Sequence, residues 1–217
     1  MNSWTEEELA HGWHSASHLR QSLLAGHPVP RLPPQTVRLL PGEILHGDTQ
    51  LRHEVWYGMD VTYTHSTFAF GGPVMFAAGL LASAAGNAHR KRQAEAMAAQ
   101  QWRFHGQNRT MLTSHRIMAF ASDRWVTWEH RAVVELWPAP QDFTFTLVFN
   151  GIDPLRLTGP GAPWFSVLLA FQLYGPAFLA ERPEFHSMGT HVPSPGHGRV
   201  IEGAREREPW GDSAGGT

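Results

Sequence analysis

The chain has 217 residues, 42% of them hydrophobic and 17% charged, which suits one domain with tails and a sizeable core. Its formal net charge of -2 excludes the basic surplus that a nucleic-acid binder carries. With no cysteine, it can build no disulfide framework, thiolate nucleophile or cysteine zinc site.

The first residues, "MNSWTEEELAHGWHSASH", are acidic where a secretory signal needs basic groups, and no apolar core follows. The expectation is a cytoplasmic start. Residues 1–27 read as an amphipathic helix, because Trp4, Leu9, Trp13, Ala16, Leu19, Leu23 and Leu24 recur near helical spacing. Thr5 followed by Glu8 matches a capping box, Glu6 and Glu7 suit the first turn, and Gly26 ends the helix. "PVPRLPP" (28–34) predicts a stiff extended linker, since proline fixes φ and removes a donor. An N-terminal unit of 1–34 follows. Removing residues 1–27 is then expected to leave residues 35–184 folded.

On that helix Glu7, His11, His14 and His18 stand four, three and four residues apart, along one face. Such a face can converge on a metal ion or titrate near neutrality. A closed site needs four ligands, and 14 histidines make helical coincidences expected. The reading is therefore no metal and no cofactor, with these four residues as the candidates.

Residues 35–182 read mostly as strands and turns. "EILHGD" and "QLRHEVWYGM" alternate, with Gly47-Asp48 as the turn between them. "QQWRFHG", "RTMLTS", "RIMAFAS", "RWVTWEH", "AVVELWP", "FTFTLVF" and "PLRLTG" follow, punctuated by Gly106, Asn108, Ser122-Asp123, Pro138, Pro140 and Asn150-Gly151. "GPGAPWFSVLLAFQLYG" then predicts a helix with Trp164, Val167, Leu168, Phe171 and Leu173 on one apolar face and Pro163 in the first turn. The fold class is mainly β with helices (α+β): a small antiparallel barrel or sandwich of roughly seven strands, capped by the C-terminal helix. Residues 183–217, rich in Gly, Pro and charge, predict a disordered tail in which Trp210 is a stray aromatic.

Between the early strands the chain runs without Asp, Glu, Lys or Arg from Val61 to Ala88, then meets His89, Arg90, Lys91 and Arg92. Phe68 to Gly86 nearly reaches the ~20 apolar residues that span a bilayer. Gly71-Gly72-Pro73 interrupts it, however, and Ala, Gly and Ser dilute it. A helix from Pro73 to Gln100 is expected, within an insert of 68–100. Ala78, Ala82, Gly79 and Ser83 permit close helix–helix contact. A single crossing would part the flanking strands, and one barrel could not close. That leaves a helix lying at a membrane surface, or one buried against a protein partner or a second copy. The residues that would dock are Phe68, Phe70, Met75, Phe76, Leu80 and Leu81, with Arg90, Lys91 and Arg92 meeting anionic groups.

No nucleophile elbow, phosphate loop, zinc-protease helix or dinucleotide fingerprint is present. "GPGAP" (159–163) lacks the lysine and spacing of a phosphate loop and reads as a helix start. His53-Glu54 and Glu129-His130 are adjacent in strands, so their side chains point to opposite faces and form no dyad. Trp56, Trp102, Trp125, Trp128 and Trp137 are expected in the core rather than lining a ligand pocket.

Three stretches carry a family likeness over residues 35–178. "RTMLTSHRIMAF" resembles the "T-N-x-R-L" strand-turn-strand of bacterial pleckstrin-homology-like (PH/GRAM-type) domains, with Thr113, Ser114, Arg116 and Ile117 in the matching places. Ser114 stands where that turn usually has Asn. "RWVTWEHRAVVEL" and "LVFNGIDPLRLTGPGAPWFSVLLAFQLYG" resemble the strands that follow and the capping helix. The whole is also similar to proteins of GC-rich bacteria that carry an Ala/Gly-rich insert ending in a basic run. The resemblance implies a non-enzymatic binding or scaffold module, often near membranes. In lipid-binding relatives the loop between the first strands carries basic residues, and His89–Arg92 falls at a comparable place. The expected function is docking on a membrane surface or a protein partner through the insert. A homo-oligomeric scaffold and a metal- or pH-responsive regulator are the alternatives.

Overall fold

A computed structural model describes residues 4–33, 37–58 and 99–188. Helix α1 (Glu6–Leu24) begins at the capping box expected: the Glu8 amide donates to Thr5 Oγ1 at 3.2 Å and the Thr5 amide to Glu8 Oε2 at 2.7 Å. The linker then lies against the sheet, with the Leu32 amide donating to the Leu45 carbonyl at 2.8 Å.

Seven antiparallel strands follow: β1 (Leu45–Tyr57), β2 (Gln101–Thr113), β3 (Arg116–Ala121), β4 (Arg124–Glu129), β5 (Val133–Ala139), β6 (Thr144–Phe149) and β7 (Leu155–Thr158). They form one curled sheet in the order β4-β3-β2-β1-β7-β6-β5, so the first strand lies at its centre. Helix α2 (Ala162–Glu181) packs on β5 and β6, and the short α3 (Pro183–His186) follows it.

The two longest strands correct the local reading. Gly47-Asp48 is no turn, because β1 runs through it and pairs Gly47 with Leu112. Its glycine is required by close approach: a Cβ there would lie 2.8 Å from Phe165 Cε2 and 2.9 Å from Trp164 Cζ3 of α2. Likewise Gly106 (φ 113°) sits within β2 at a register shift opposite His53/Glu54, where a bulge bends the strand. Nine sequence runs therefore merge into seven strands. Ser122 and Asp123, both at positive φ, do make the two-residue β3–β4 turn.

Helix α2 differs from its expected single face. Phe165, Val167, Leu168, Leu169 and Ala170 are all buried, while Trp164, Phe171 and Leu173 pack partly buried at the margin. The cause is α1, which packs along α2 with Leu9, Trp13, Ala16, Leu19 and Leu23 while the sheet covers another side. A helix covered on two sides is apolar all round. It is long and apolar enough to cross a membrane by composition, yet half of its most apolar window is buried inside the fold. Contact is tight where α1 passes the start of α2, since a Cβ at Gly12 would meet the Pro160 carbonyl oxygen at 2.0 Å. α1 is thus core, and the prolines after it do not isolate it. The expectation that residues 1–27 can be removed without harm is reversed. At the other end, Phe185 is fully buried and Met188 nearly so, so the chain stays packed through residue 188.

Candidate functional site

The apolar and basic insert residues Phe68, Phe70, Met75, Phe76, Leu80, Leu81, Arg90, Lys91 and Arg92 lie outside the described residues. Its base is described. Tyr57 pairs with Gln101 as the final rung of the β1–β2 ladder, so the chain departs and returns on neighbouring strands, about 5 Å apart. Pairing of β1 with β7 ends at Val55, the Trp56 amide donates to the Pro154 carbonyl at 3.0 Å, and the β1–β2 tip lies beside the start of β7.

The outer face of that tip and of the adjoining β7 carries aromatics and arginines. Trp56 and Trp102 meet edge to face at 5.4 Å, and Arg156 stacks over Trp102 at 4.2 Å. Arg52 lies 4.7 Å over Phe104, whose ring is 59% exposed, and Arg103 lies 5.1 Å over Tyr57. Glu54 organises the group: its carboxylate accepts from Arg52 at 3.0 Å and from Arg156 at 2.7 Å. Strand alternation explains the arrangement. His53 points inward and Glu54 outward, as their adjacency requires, so the pair is no catalytic dyad. By the same alternation Trp56, Trp102 and Trp137 sit on the outer surface instead of in the core. Of the five strand tryptophans only Trp128 packs against the main core, with Trp125 on a small second cluster of Leu45, Met111 and Met118. Glu129 pairs with Arg131, away from His130.

The motif residues Thr113, Ser114 and Arg116 lock a structural corner. Thr113 Oγ1 accepts from the His115 and Arg116 amides at 3.1 and 3.0 Å, and Ser114 Oγ accepts from the Ile44 amide at 3.1 Å. The Glu43 side chain is wholly buried there, with Arg116 Nε at 2.8 Å and Nη2 at 2.9 Å. Burial pushes the Glu43 carboxyl up, but Arg116, the Leu40 amide and the Thr113 hydroxyl together hold it below its ordinary value. Removing one partner of a buried pair strands the other charge. Arg116→Met is therefore expected to destabilise the fold by about 3–5 kcal/mol, whereas Arg116→Lys should cost less. Urea unfolding measures it; an unchanged midpoint would contradict the pairing.

Two histidines are held neutral. His53 is 2% exposed and bonds Thr110 Oγ1 at 2.8 Å; because that hydroxyl donates to the Asn108 carbonyl, His53 carries its proton on Nε2. Burial, with His105 nearby, lowers it to about 4. Burial also lowers His130 to about 4, helped by His115 and His46, with Glu43 opposing.

Glu7, His11, His14 and His18 are all exposed on α1. Among the described residues no group of three or more His, Asp or Glu side chains is placed to hold a metal ion. Of the four, His11 lines a cleft between α1, β1 and α2. The Arg52–Glu54–Arg156 group and its ring partners were not legible in the sequence, since Glu54 and Arg156 are 102 residues apart. Comparisons with protein-family models, curated proteins and solved structures give no match.

Proposed function

We propose that the chain is a non-enzymatic PH-like module that docks peripherally on an anionic membrane surface, from the cytoplasmic side, through its apolar, basic-ended insert. The observation that carries this reading is the Tyr57–Gln101 rung. Because both ends of the insert leave one hairpin tip, the segment can enter and return on one side of a bilayer without parting the sheet. The surface of that tip supports the reading further. Trp, Tyr and Arg side chains are those that sit at headgroup depth, where a ring meets the acyl boundary and a cation stays wet. A central first strand and a helix packed on the sheet support the PH-like assignment.

Flotation of the full chain with anionic vesicles tests it, against a chain lacking 68–92 and against Arg90→Glu/Lys91→Glu/Arg92→Glu. Each basic residue near such a surface contributes about 1 kcal/mol, so the triple reversal should weaken binding by about 100-fold or more. Added salt should weaken the wild type as well. Vesicle binding that is indifferent to both changes sinks the proposal. If Leu80→Glu instead dissociates a wild-type oligomer that ignores vesicles, the insert serves assembly.

A further inference from the structure

Away from the hairpin tip, a cleft of about 300 Å³ opens where α1, the start of β1 and the start of α2 meet. Its walls include Leu32, Trp164 and Phe165, and its polar groups come from Glu8, His11, Ser15, His46 and Thr49. The volume is at the small end for ligand pockets.

His46 is the informative residue. It is 5% exposed and its Nδ1 lies 2.6 Å from the Pro30 carbonyl oxygen, which can only accept. Nδ1 therefore holds the proton and Nε2 keeps its lone pair. Among the described residues that Nε2 has no hydrogen-bond partner, although the side chain lines the cleft. An acceptor that faces a cleft without a protein partner is open to a donor bound there. Glu8 adds a second: its Oε2 is taken by the Thr5 amide, while Oε1 has no described partner. Asp48 is spent on Arg109, which holds it at 2.9 and 2.6 Å.

The cleft is poor in charged donors. No Lys or Arg lines it. The N-terminus of α2 opens there, yet Pro163 has no N–H, the Ala162 amide donates to the Gly159 carbonyl, and the Phe165 amide to that of Gly161. Most of the first-turn amides that could greet an anion are thus absent or used. Glu8 and His46 thus offer acceptors, and an indole ring stands beside them.

We propose that this cleft binds a small organic cation, a primary ammonium carried on an apolar body. The ammonium lies between Glu8 Oε1 and His46 Nε2, and the body rests on Trp164, Phe165 and Leu32. An ammonium beside an indole gains further attraction from the ring face.

Phenethylamine is the probe, with 3-phenylpropionate and 2-phenylethanol as anionic and neutral counterparts, titrated into the full chain and followed by NMR. The amine should give saturable shifts at the Trp164 indole and at His46 Nε2, with affinity about tenfold or more above either counterpart, as for one charge-assisted hydrogen bond. Glu8→Gln keeps an acceptor for the helix cap and should weaken the amine by about tenfold. Equal binding of the carboxylate, shifts that never saturate, or full affinity in Glu8→Gln would each overturn the proposal. So would a His46 spectrum with the proton on Nε2, a readout that needs no variant.

Discussion

Deleting residues 1–27 should unfold the protein. Leu9, Trp13, Leu19 and Leu23 are each under 8% exposed in the main core, and Trp13 meets Phe143 with ring centroids 6.2 Å apart. Burying such a side chain contributes about 1.5–3 kcal/mol, so four of them contribute roughly 6–12 kcal/mol. A domain has only about 5–15 kcal/mol in total. The loss would also uncover the second face of α2, which has no polar residue among Val167–Phe171 to meet water. The expected result is a fragment without cooperative thermal unfolding and with a strong tendency to aggregate. Trp13→Ala is the milder form and should cost about 3–5 kcal/mol. A fragment of 28–188 that melts at the temperature of the full chain would show that α1 is a dispensable cover.

Acidification between about pH 7 and pH 5 should destabilise the fold through its buried histidines. His53 and His130 fall from 6.5 in the unfolded chain to about 4 in the folded one, so the unfolded state takes up protons first. Stability is then complete above about pH 6.5, falls as pH drops below that value, and levels off below about 4. A tenfold change in proton affinity corresponds to about 1.4 kcal/mol, so each histidine accounts for about 3 kcal/mol across the window and about 2 kcal/mol by pH 5. His46 and His105, also lowered by burial, act in the same direction. Glu43 is lowered too, but a depressed carboxyl loses its contribution only below its ordinary 4.5, so the range above that value belongs to the histidines. Urea unfolding between about pH 7 and pH 5 isolates the histidines. His53→Gln should flatten part of the slope. A midpoint that stays constant over that range would mean both imidazoles are solvated.

Much of the element order was legible because its signals are local. The Thr5–Glu8 capping box involves residues three apart, and the Ser122-Asp123 turn needs only its own backbone. Alternation marked the strands and placed His53 and Glu54 on opposite faces. What failed was the meaning of small and aromatic residues. Gly47 looks like a turn in sequence, yet it is glycine because Trp164 and Phe165, over a hundred residues later, press on its backbone. Trp56, Trp102 and Trp137 look like core, but which face of a curled sheet is covered depends on where α1 and α2 pack. The prolines at 28–34 suggest separation, although a stiff linker can equally lay a helix onto its neighbour.

The charged groups at the hairpin tip and at the corner were decided by the tertiary structure alone. Glu43 meets Arg116 across 73 positions and Glu54 meets Arg156 across 102, distances over which no periodicity carries information. His46 gained its open nitrogen only because the linker brought the Pro30 carbonyl to the other side of its ring. Sequence by itself determined the Thr5–Glu8 cap, the apolar run with its basic end and the strand-rich segments, though not the continuity of β1 and β2. Which faces were buried, which ions were paired and which acceptors were left open followed from the packing of elements distant in the chain, because burial and pairing depend on neighbours in space.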